Sequence, residues 1–345
     1  MMRSLRYVFI LFYFILTIGN SAYGDVMDIV IPVAPKDKLK LKMSIDGILN
    51  NSSTNIGNVY VIAQDKSIIK NLNTKNKKNI IFISEKLFPF SKSDIETLIN
   101  KRYPGFDHSS WYYQQLLKFY AFKVIKNLSK NFLILDSDFI FLKKIELLSQ
   151  NNVATLAYGY PFKWLLNTNK YPNNFISRHI IYSSQLVPEW SATSKFTGIH
   201  HHMVFNQDIL EHMFFLVENH HGKKLWQAFI DVADFNKWNA ASEYVTYFHF
   251  AVYFYPELIK LRHLNTCDII YDSSTDFKKI NPILEKIKSK PEFDAVGCHG
   301  FSNLKSRLEK MDFIPKKSRK ILLNQTPLCV LLFLEDGKLN FSGCQ

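Results

Sequence analysis

The chain has 345 residues, of which 47% are hydrophobic and 21% are charged, and this composition excludes a wholly disordered chain, a collagen-like repeat and a polytopic membrane protein. The length suits about two average domains or one large α/β domain. Lys and Arg number 43 against 30 Asp and Glu, so the net charge of +13 favours anionic partners: nucleic acid, acidic lipid or the phosphate groups of a small substrate.

Residues 1–24 are predicted to be a targeting segment. Arg3 and Arg6 precede a long uncharged stretch, residues 7–24, which ends in small residues typical of a cleavage site. We expect either cleavage after Gly24 or retention as a single N-terminal membrane anchor, because the stretch is just long enough to span a bilayer. The expected location is therefore the secretory-pathway lumen, or a membrane to which the chain is anchored by this segment. Glycosylation sequons lie at Asn50, Asn51, Asn127, Asn324 and Asn340.

The following segments alternate between strand-like and helix-like patterns. In chain order, the pattern predicts a strand at 27–33, a helix at 39–49, strands at 59–63 and 80–83, a helix at 93–101, a helix at 111–125 and a strand at 132–135. Ser93 and Glu96 are predicted to form a capping box at the start of the second helix. Uninterrupted apolar strands between helices are typical of a parallel sheet covered on both faces, and such sheets bind ligands at the carboxyl ends of their strands.

Asp136-Ser137-Asp138 directly follows the last of these predicted strands. Side chains two positions apart on an extended chain point to the same side, so both carboxylates are expected to face one site. They repel each other unless a cation lies beside them, and oxygen ligands suit Mg²⁺ or Mn²⁺. We therefore predict a metal site for a nucleotide diphosphate at Asp136 and Asp138. The alternative is a polar turn with solvated acids.

The four cysteines match no metal-site spacing, but one pair suggests a disulfide. Residues 329–344 are predicted to form a β-hairpin with a two-residue turn. Pairing outward from Glu335 opposite Lys338 brings Cys329 opposite Cys344, within disulfide reach. Two reduced, half-buried thiols are the alternative.

Four blocks of the sequence form an ordered set: DIVIP at 28–32 with PKD at 35–37, WYYQQLLK at 111–118, LILDSD at 133–138, and HHM at 201–203 with SEY at 242–244. Together they resemble an uncharacterised family of glycosyltransferase-like proteins related to GT-A type glycosyltransferases. The resemblance covers roughly residues 26–270 and implies an α/β, Rossmann-like fold with a mostly parallel sheet between helices. We therefore predict a GT-A-like domain at residues 25–300 and a C-terminal extension at residues 301–345 that contains the hairpin.

The resemblance also implies a donor site. In GT-A enzymes the end of the first strand holds the base and ribose of the nucleotide. The matching residues here are Pro32, Ala34 and Asp37. On the next block, Gln114, Gln115 and Lys118 are three or four residues apart and share a helix face. Lys118 is expected to neutralise a phosphate while a glutamine binds a sugar hydroxyl, and a solvated polar stripe is the alternative.

The last blocks supply further candidates. His201 and His202 are expected to line the donor or acceptor pocket, with His202 taken as catalytic, unless they belong to a His-rich surface loop. Ser242 is placed to cap a helix, and Glu243 in its first turn is the candidate base for the acceptor hydroxyl; a glutamate that only favours the helix dipole is the alternative. His299 offers a third metal ligand, although it departs from the His-x-x-Gly-x-x-Lys element of glycogenin-like enzymes.

These observations favour a metal-dependent glycosyltransferase that uses a nucleotide sugar, with a UDP-sugar expected first, and a glycan, protein or lipid acceptor. Two other classes stay open. One is a secreted or membrane-associated glycan- or lipid-binding protein that kept the fold without turnover. The other is a nucleotidyltransferase, although the glycine-rich phosphate loop typical of that class is absent from the sequence. Nucleic acid is not an expected partner, because the lysines are spread along the chain without a recognised motif.

Overall fold

The computed structural model describes residues 26–344 apart from several gaps. The gaps are residues 71, 73–78, 150, 160–176, 195, 237–238, 311–313, 325–327 and 336–337. The predicted targeting segment at residues 1–24 lies outside the described part of the chain. Within that part, none of the helices is both long and apolar enough to cross a membrane.

The described elements are twelve strands and ten α-helices. The strands are β1 (Met27–Pro32), β2 (Ile56–Ala63), β3 (Ile80–Ser84), β4 (Asn131–Leu135), β5 (Phe139–Phe141), β6 (Ala154–Tyr158), β7 (His202–Asn206), β8 (Ile259–His263), β9 (Thr266–Asp272), β10 (Ala295–Phe301), β11 (Cys329–Glu335) and β12 (Lys338–Gly343). The helices are α1 (Lys38–Asn51), α2 (Lys92–Arg102), α3 (Ser109–Val124), α4 (Arg178–Leu186), α5 (Gln207–His221), α6 (Leu225–Asp231), α7 (Glu243–Phe254), α8 (Asn281–Lys288), α9 (Leu304–Lys310) and α10 (Lys316–Leu323).

The first sheet has the strand order β3-β2-β1-β4-β7. Strands β1, β2, β3 and β4 are parallel, and β7 runs antiparallel to β4. The mixed α/β class with a mostly parallel sheet is therefore confirmed. Because the chain moves from β1 to one side through β2 and β3 and then returns to β4 on the other side, the strand order reverses between β1 and β4. Ligands of such sheets bind in the crevice outside the carboxyl ends of the strands at this reversal.

A second sheet has the order β12-β11-β9-β10-β5, and a two-stranded parallel sheet joins β6 to β8. Strand β5 begins one residue after Asp138 and pairs antiparallel with β10, which itself lies parallel to β9. The C-terminal hairpin extends this sheet, because β11 pairs with β9. The predicted boundary at residue 300 thus falls inside β10, and the C-terminal segment is part of the sheet.

Helix α3 is buried almost all round because it packs against both β1 and α7. Eleven of its 16 residues are buried, among them the fully buried aromatic residues Tyr112 and Phe119. Two polar side chains of this helix, Gln115 and Lys118, are buried as well. Burial of polar groups is costly unless each one finds a partner, so these two side chains are expected to make specific contacts.

The capping box of helix α2 differs from the predicted one. Ser91 caps the helix, and its Oγ accepts from the Asp94 backbone N–H at 3.1 Å while the Asp94 carboxylate accepts from the Ser91 N–H at 2.7 Å. The predicted pair, Ser93 and Glu96, was wrong by two residues. An Asp at the third helical position reaches back to the cap as a Glu does, so the motif had two possible registers.

The C-terminal hairpin has the predicted register, with Glu335 paired to Lys338. Cys329 and Cys344 form a disulfide, and their Cα atoms are 5.6 Å apart. The predicted pairing is therefore confirmed, and Cys267 and Cys298 are buried free thiols.

Removing this disulfide is expected to lower the free energy of unfolding by about 3 kcal/mol, the loop-closure entropy of roughly 15 residues. The change is Cys329→Ser with Cys344→Ser, and the measurement is urea unfolding followed by circular dichroism. A reducing agent should destabilise the unmodified protein by the same amount and leave the double variant unaffected. Equal midpoints for both proteins without reductant would contradict the expectation.

Two histidines of the packed helices are buried as neutral rings. His179 Nε2 contacts the Asn239 carbonyl at 2.8 Å and His249 Nε2 contacts the Phe196 carbonyl at 3.0 Å, an arrangement in which each ring donates from Nε2. Burial lowers the pKa of each of these rings to about 4. The unfolded chain therefore takes up protons at these positions more readily than the folded chain does, and acid favours unfolding.

We expect the free energy of unfolding to fall as the pH drops from about 6.5 to about 4, by up to roughly 3 kcal/mol for each of these two rings. His179→Gln should flatten the pH profile, because the amide can still donate to the Asn239 carbonyl and does not titrate. His220→Gln, at an exposed position of α5, is the matched control and should leave the profile as it is. Denaturant unfolding at half-unit pH steps measures this, and identical slopes for the two variants would refute it.

Candidate functional site

The turn after β4 joins the two five-stranded sheets. The Asp136 N–H donates to the His201 carbonyl at 2.8 Å, and the Cys298 N–H donates to the Asp138 carbonyl at 2.8 Å. His201 immediately precedes β7, and Cys298 lies within β10. The backbone thus fixes both aspartates at the carboxyl end of β4, beside the strand-order reversal. Their carboxylates contact linked groups of side chains, but the segment is a turn in which the Phe139 N–H donates to the Asp136 carbonyl at 3.2 Å, and not the extended chain from which a shared facing was predicted.

Asp136 lies in a buried network with Lys118, Glu243 and Tyr244. Lys118 Nζ is 2.6 Å from Asp136 Oδ1 and 2.6 Å from Glu243 Oε1. The Tyr244 hydroxyl donates to Asp136 Oδ1 at 3.0 Å and lies 3.2 Å from Lys118 Nζ. The Glu243 N–H, at the start of α7, donates to Gln115 Oε1 at 2.9 Å. Helices α3 and α7 are therefore joined through one buried lysine and its two carboxylates.

The charges of this network follow from competition between burial and pairing. Burial alone would lower the pKa of Lys118, but Asp136 and Glu243 outweigh it and raise the pKa above its usual value. Burial would likewise raise the pKa of Asp136, yet Lys118 and the hydrogen bond from His201 hold it below its usual value. For Glu243, burial outweighs Lys118, and the pKa is raised. Lys118 is the positive charge that allows Asp136 to stay ionised.

Asp138 lies in a second charged group. Its Oδ2 is 3.0 Å from His299 Nδ1 and 3.6 Å from Lys40 Nζ, and His299 Nε2 is 3.3 Å from Asp268 Oδ1. Burial alone would lower the pKa of His299, but Asp138 and Asp268 raise it to about 10, so the ring is positively charged and donates from both nitrogens. Lys40 also pairs with Asp37 at 2.6 Å.

His201 connects the two groups. Its Nδ1 lies 3.1 Å from Asp136 Oδ2, its Nε2 lies 4.0 Å from Asp268 Oδ1, and its ring centroid is 4.6 Å from that of His299. His201 has a left-handed backbone with φ of 57°, which a non-glycine residue rarely adopts. One ligand atom each from His201, Asp268 and His299 lies within 4.8 Å of the others, an arrangement that could hold a metal ion.

Several residues predicted for the site lie elsewhere. His202 is buried against the Phe139 ring, and its Nδ1 contacts the His200 carbonyl at 2.7 Å; burial lowers its pKa to about 3. The left-handed backbone of His201, immediately before β7, turns its side chain toward the cluster, whereas the His202 side chain at the start of the strand lies in the core. Gln114 is half-buried on α3 outside these contacts, and Pro32 is buried at the end of β1.

Other predicted residues are present but in different roles. Lys118 is 1% exposed and pairs with carboxylates, so it is not free to meet a phosphate. Glu243 does begin a helix capped by Ser242, as predicted, but it is 3% exposed and lies against Lys118, where an acceptor hydroxyl would have to displace that lysine. Gln115 binds the Glu243 backbone. Asp37 pairs with Lys40, and of the first-strand residues Ala34 alone is exposed.

Sequence reasoning missed Lys40, Asp268 and Tyr244. A signal existed for one of them. Lys40 is one helical turn before the buried Ser44 on the face of α1 that packs inward. Asp268 is partly exposed and alternates with the buried Cys267 and Ile269, as an ordinary surface residue of a strand does. Charged residues are almost never fully buried unless paired, so a charge at a core position of the pattern indicates a partner.

Comparisons with known proteins add little beyond the fold. No family model matches the sequence, and no match is found among curated proteins. The crystal structure of mouse xyloside xylosyltransferase 1, apo form, is similar to this chain with a TM-score of 0.37 and 12% sequence identity, over 79% of this chain and 97% of that chain. Such a TM-score carries no argument about function, so the proposal below rests on the side chains of the cluster.

A cavity of about 270 Å³ lies away from the cluster. Its lining includes Lys130, Asn131 and Asn206, which lie at the amino end of the parallel strand β4. Ligand sites of parallel sheets form at the other edge, and this cavity contains none of the ionised groups described above. The charged cluster is the better candidate for chemistry.

Proposed function

We propose that the protein is a metal-dependent glycosyltransferase that moves a sugar from a nucleotide-sugar donor, a UDP-sugar in the first instance, to a glycan, protein or lipid acceptor. The observation that carries this proposal is that Asp138 contacts His299 at 3.0 Å, and Asp136 contacts His201 at 3.1 Å beside it, at the carboxyl edge of the sheet where the strand order reverses. The resemblance of the sequence blocks to GT-A type enzymes supports the same reaction. The proposed location is the secretory-pathway lumen or its membrane.

The residues present fit a divalent cation. Carboxylate oxygens and imidazole nitrogens are gathered within a few ångströms, and they are partly exposed to solvent. Mixed nitrogen and oxygen donors suit Mn²⁺ better than Mg²⁺, which prefers oxygen ligands and retains several waters. When bound, the cation would neutralise the charge that develops on the departing nucleoside diphosphate.

The chain's own residues prepare this site. Lys118 keeps Asp136 ionised, and His299 together with Lys40 keeps Asp138 ionised. Both lysines are almost fully buried. Ala34 is exposed two residues after the end of β1, on the side where the base and ribose would lie in this proposal. Glu243 orients Lys118 and, as placed, is not exposed to an acceptor.

The test is release of nucleoside diphosphate by the purified protein from a panel of sugar nucleotides, with Mn²⁺, with Mg²⁺ and with a chelator. We expect release from at least one donor, stimulated by Mn²⁺ and lost on chelation. A folded protein that binds Mn²⁺ and releases nothing from any donor, with or without candidate acceptors, would overturn the proposal.

A binding protein without turnover is the second candidate. The burial of Glu243 and its ion pair with Lys118 favour a binding protein, because the residue predicted to take the proton of the acceptor hydroxyl is then not available. In this case donor or glycan binding should be detectable by calorimetry while no nucleoside diphosphate is released, so the same samples distinguish the two functions.

A further inference from the structure

The two imidazoles of the cluster are held in the same way. His201 Nδ1 contacts Asp136 Oδ2 at 3.1 Å, and His299 Nδ1 contacts Asp138 Oδ2 at 3.0 Å. Each ring therefore has a carboxylate on its Nδ1 side. In metal sites, a carboxylate on one nitrogen of an imidazole commonly fixes the ring so that its other nitrogen binds the ion.

The free sides of both rings meet at one carboxylate. His299 Nε2 is 3.3 Å and His201 Nε2 is 4.0 Å from Asp268 Oδ1. Ligand atoms around one ion with bonds of roughly 2.2 Å lie about 3.1–4.4 Å apart, so these separations need little adjustment. The exposed fraction of the side chain is 27% for His201, 24% for Asp268 and 16% for His299. An ion can therefore reach these side chains from solvent.

The aspartates of the turn are already engaged by cations of the chain. Asp136 has Lys118 and the Tyr244 hydroxyl on Oδ1 and His201 on Oδ2. Asp138 has both His299 and Lys40 at Oδ2. A carboxylate oxygen with an ammonium at 2.6 Å has part of its charge compensated and competes poorly for a metal ion. The cation that the sequence argument required beside Asp136 is thus supplied by the protein itself.

Two backbone features favour the same centre. His201 is held in a left-handed conformation, and residues kept in such sparsely populated backbone regions cluster at functional sites. Gly297, on β10 opposite Asp268, leaves open the space at the ligand atoms, because a Cβ there would collide with the Asp268 carboxylate and the His299 ring.

We propose that His201 Nε2, His299 Nε2 and an oxygen of Asp268 are the protein ligands of a Mn²⁺ ion, and that Asp136 and Asp138 are positioning residues that orient the two imidazoles. The ion would take the place of the proton that His299 Nε2 shares with Asp268, and that proton would be released to solvent. A role of this ion in catalysis rests on the proposed function. The ligand set differs from the one predicted from the sequence, which was Asp136, Asp138 and His299.

The test is Mn²⁺ binding by the full chain, measured by electron paramagnetic resonance and calorimetry in the absence of any nucleotide. Asp268→Asn and His201→Asn are expected to weaken binding at least 100-fold; Asn is chosen at 201 because it tolerates a positive φ. Asp136→Asn should weaken binding only about 10- to 100-fold, the usual effect of a residue that orients a ligand. Asp46→Asn, whose carboxylate pairs with Lys42 on α1, is the matched control with unchanged affinity.

A second readout identifies the ligand atoms. Pulsed resonance on the Mn²⁺ complex should show coupling to two imidazole nitrogens in the unmodified protein and to one in His201→Asn at saturating metal. Circular dichroism confirms that each variant is folded. Wild-type affinity in folded Asp268→Asn, absence of nitrogen coupling, or no Mn²⁺ binding by the unmodified protein would each overturn the ligand assignment. Mn²⁺ bound as proposed without any nucleoside diphosphate release would count against the transferase alone.

Discussion

Lys118→Met is expected to lower the free energy of unfolding by about 3–5 kcal/mol, the usual cost of removing one partner from a buried ion pair. Methionine keeps most of the length of the side chain, so packing within α3 changes little. Asp136 and Glu243, which are each 2.6 Å from the ammonium, would then face each other without a cation between them. Denaturant unfolding at neutral pH measures the loss.

Lys123→Met is the matched control on the same helix. Lys123 lies on the exposed face of α3 and pairs with Glu211 at 2.9 Å, and exposed pairs of this kind contribute about 1 kcal/mol or less. Adding Glu243→Gln to Lys118→Met should recover part of the lost stability, because it removes one of the two uncompensated carboxylates. A loss for Lys118→Met no larger than that of the control would show that the buried network does not hold α3 to α7.

His299→Gln is expected to reduce Mn²⁺-dependent nucleoside diphosphate release by at least about 100-fold, more than the usual effect of a residue that only orients a ligand. His299 contacts Asp138 through one nitrogen and Asp268 through the other. Its removal therefore breaks the contact that links Asp138, after the first sheet, to Asp268 in the second sheet. Glutamine has a neutral amide that cannot compensate both carboxylates. Initial rates at saturating donor and varied Mn²⁺ measure the effect.

The control for this change is His263→Gln, since His263 is exposed at the end of β8. It should keep the rate and the Mn²⁺ dependence of the unmodified protein. Equal rates for the two variants would mean that the chemistry does not use this cluster.

The four parallel strands of the first sheet could be predicted from the sequence because each carries its own local signal, whereas the antiparallel strand β7 was not predicted. Strand β1 is buried throughout and apolar except for Asp28, and α1 has helical spacing within a residue or two of the predicted ends. The position of Asp136 and Asp138 directly after β4 follows from the same local signal, whereas the direction of their side chains is set by the turn at residues 136–138 and not by extended chain. The cap of α2 shows the limit of local signals. The pairs Ser91 with Asp94 and Ser93 with Glu96 both match a capping box, and the sequence does not decide which one begins the helix.

The partners of those aspartates could not be predicted, because they come from distant parts of the chain. Two neighbouring carboxylates require a cation beside them, but their sequence does not distinguish a metal ion from Lys118 and Lys40. Asp268 depends on the pairing of β9 with β10, which places it opposite Gly297 and near His299. The register of such long-range strand pairs is fixed only when the whole sheet forms.

The turn at residues 136–138, whose backbone bonds to both sheets, has a consequence for assembly. The charged groups gathered there come from parts of the chain more than 150 residues apart, so they can converge only after both sheets have formed and docked. A chain that has completed the first sheet alone possesses two aspartates but no binding centre. Any ligand that contacts the whole cluster therefore binds the fully assembled chain in preference to partly folded forms and stabilises it by mass action.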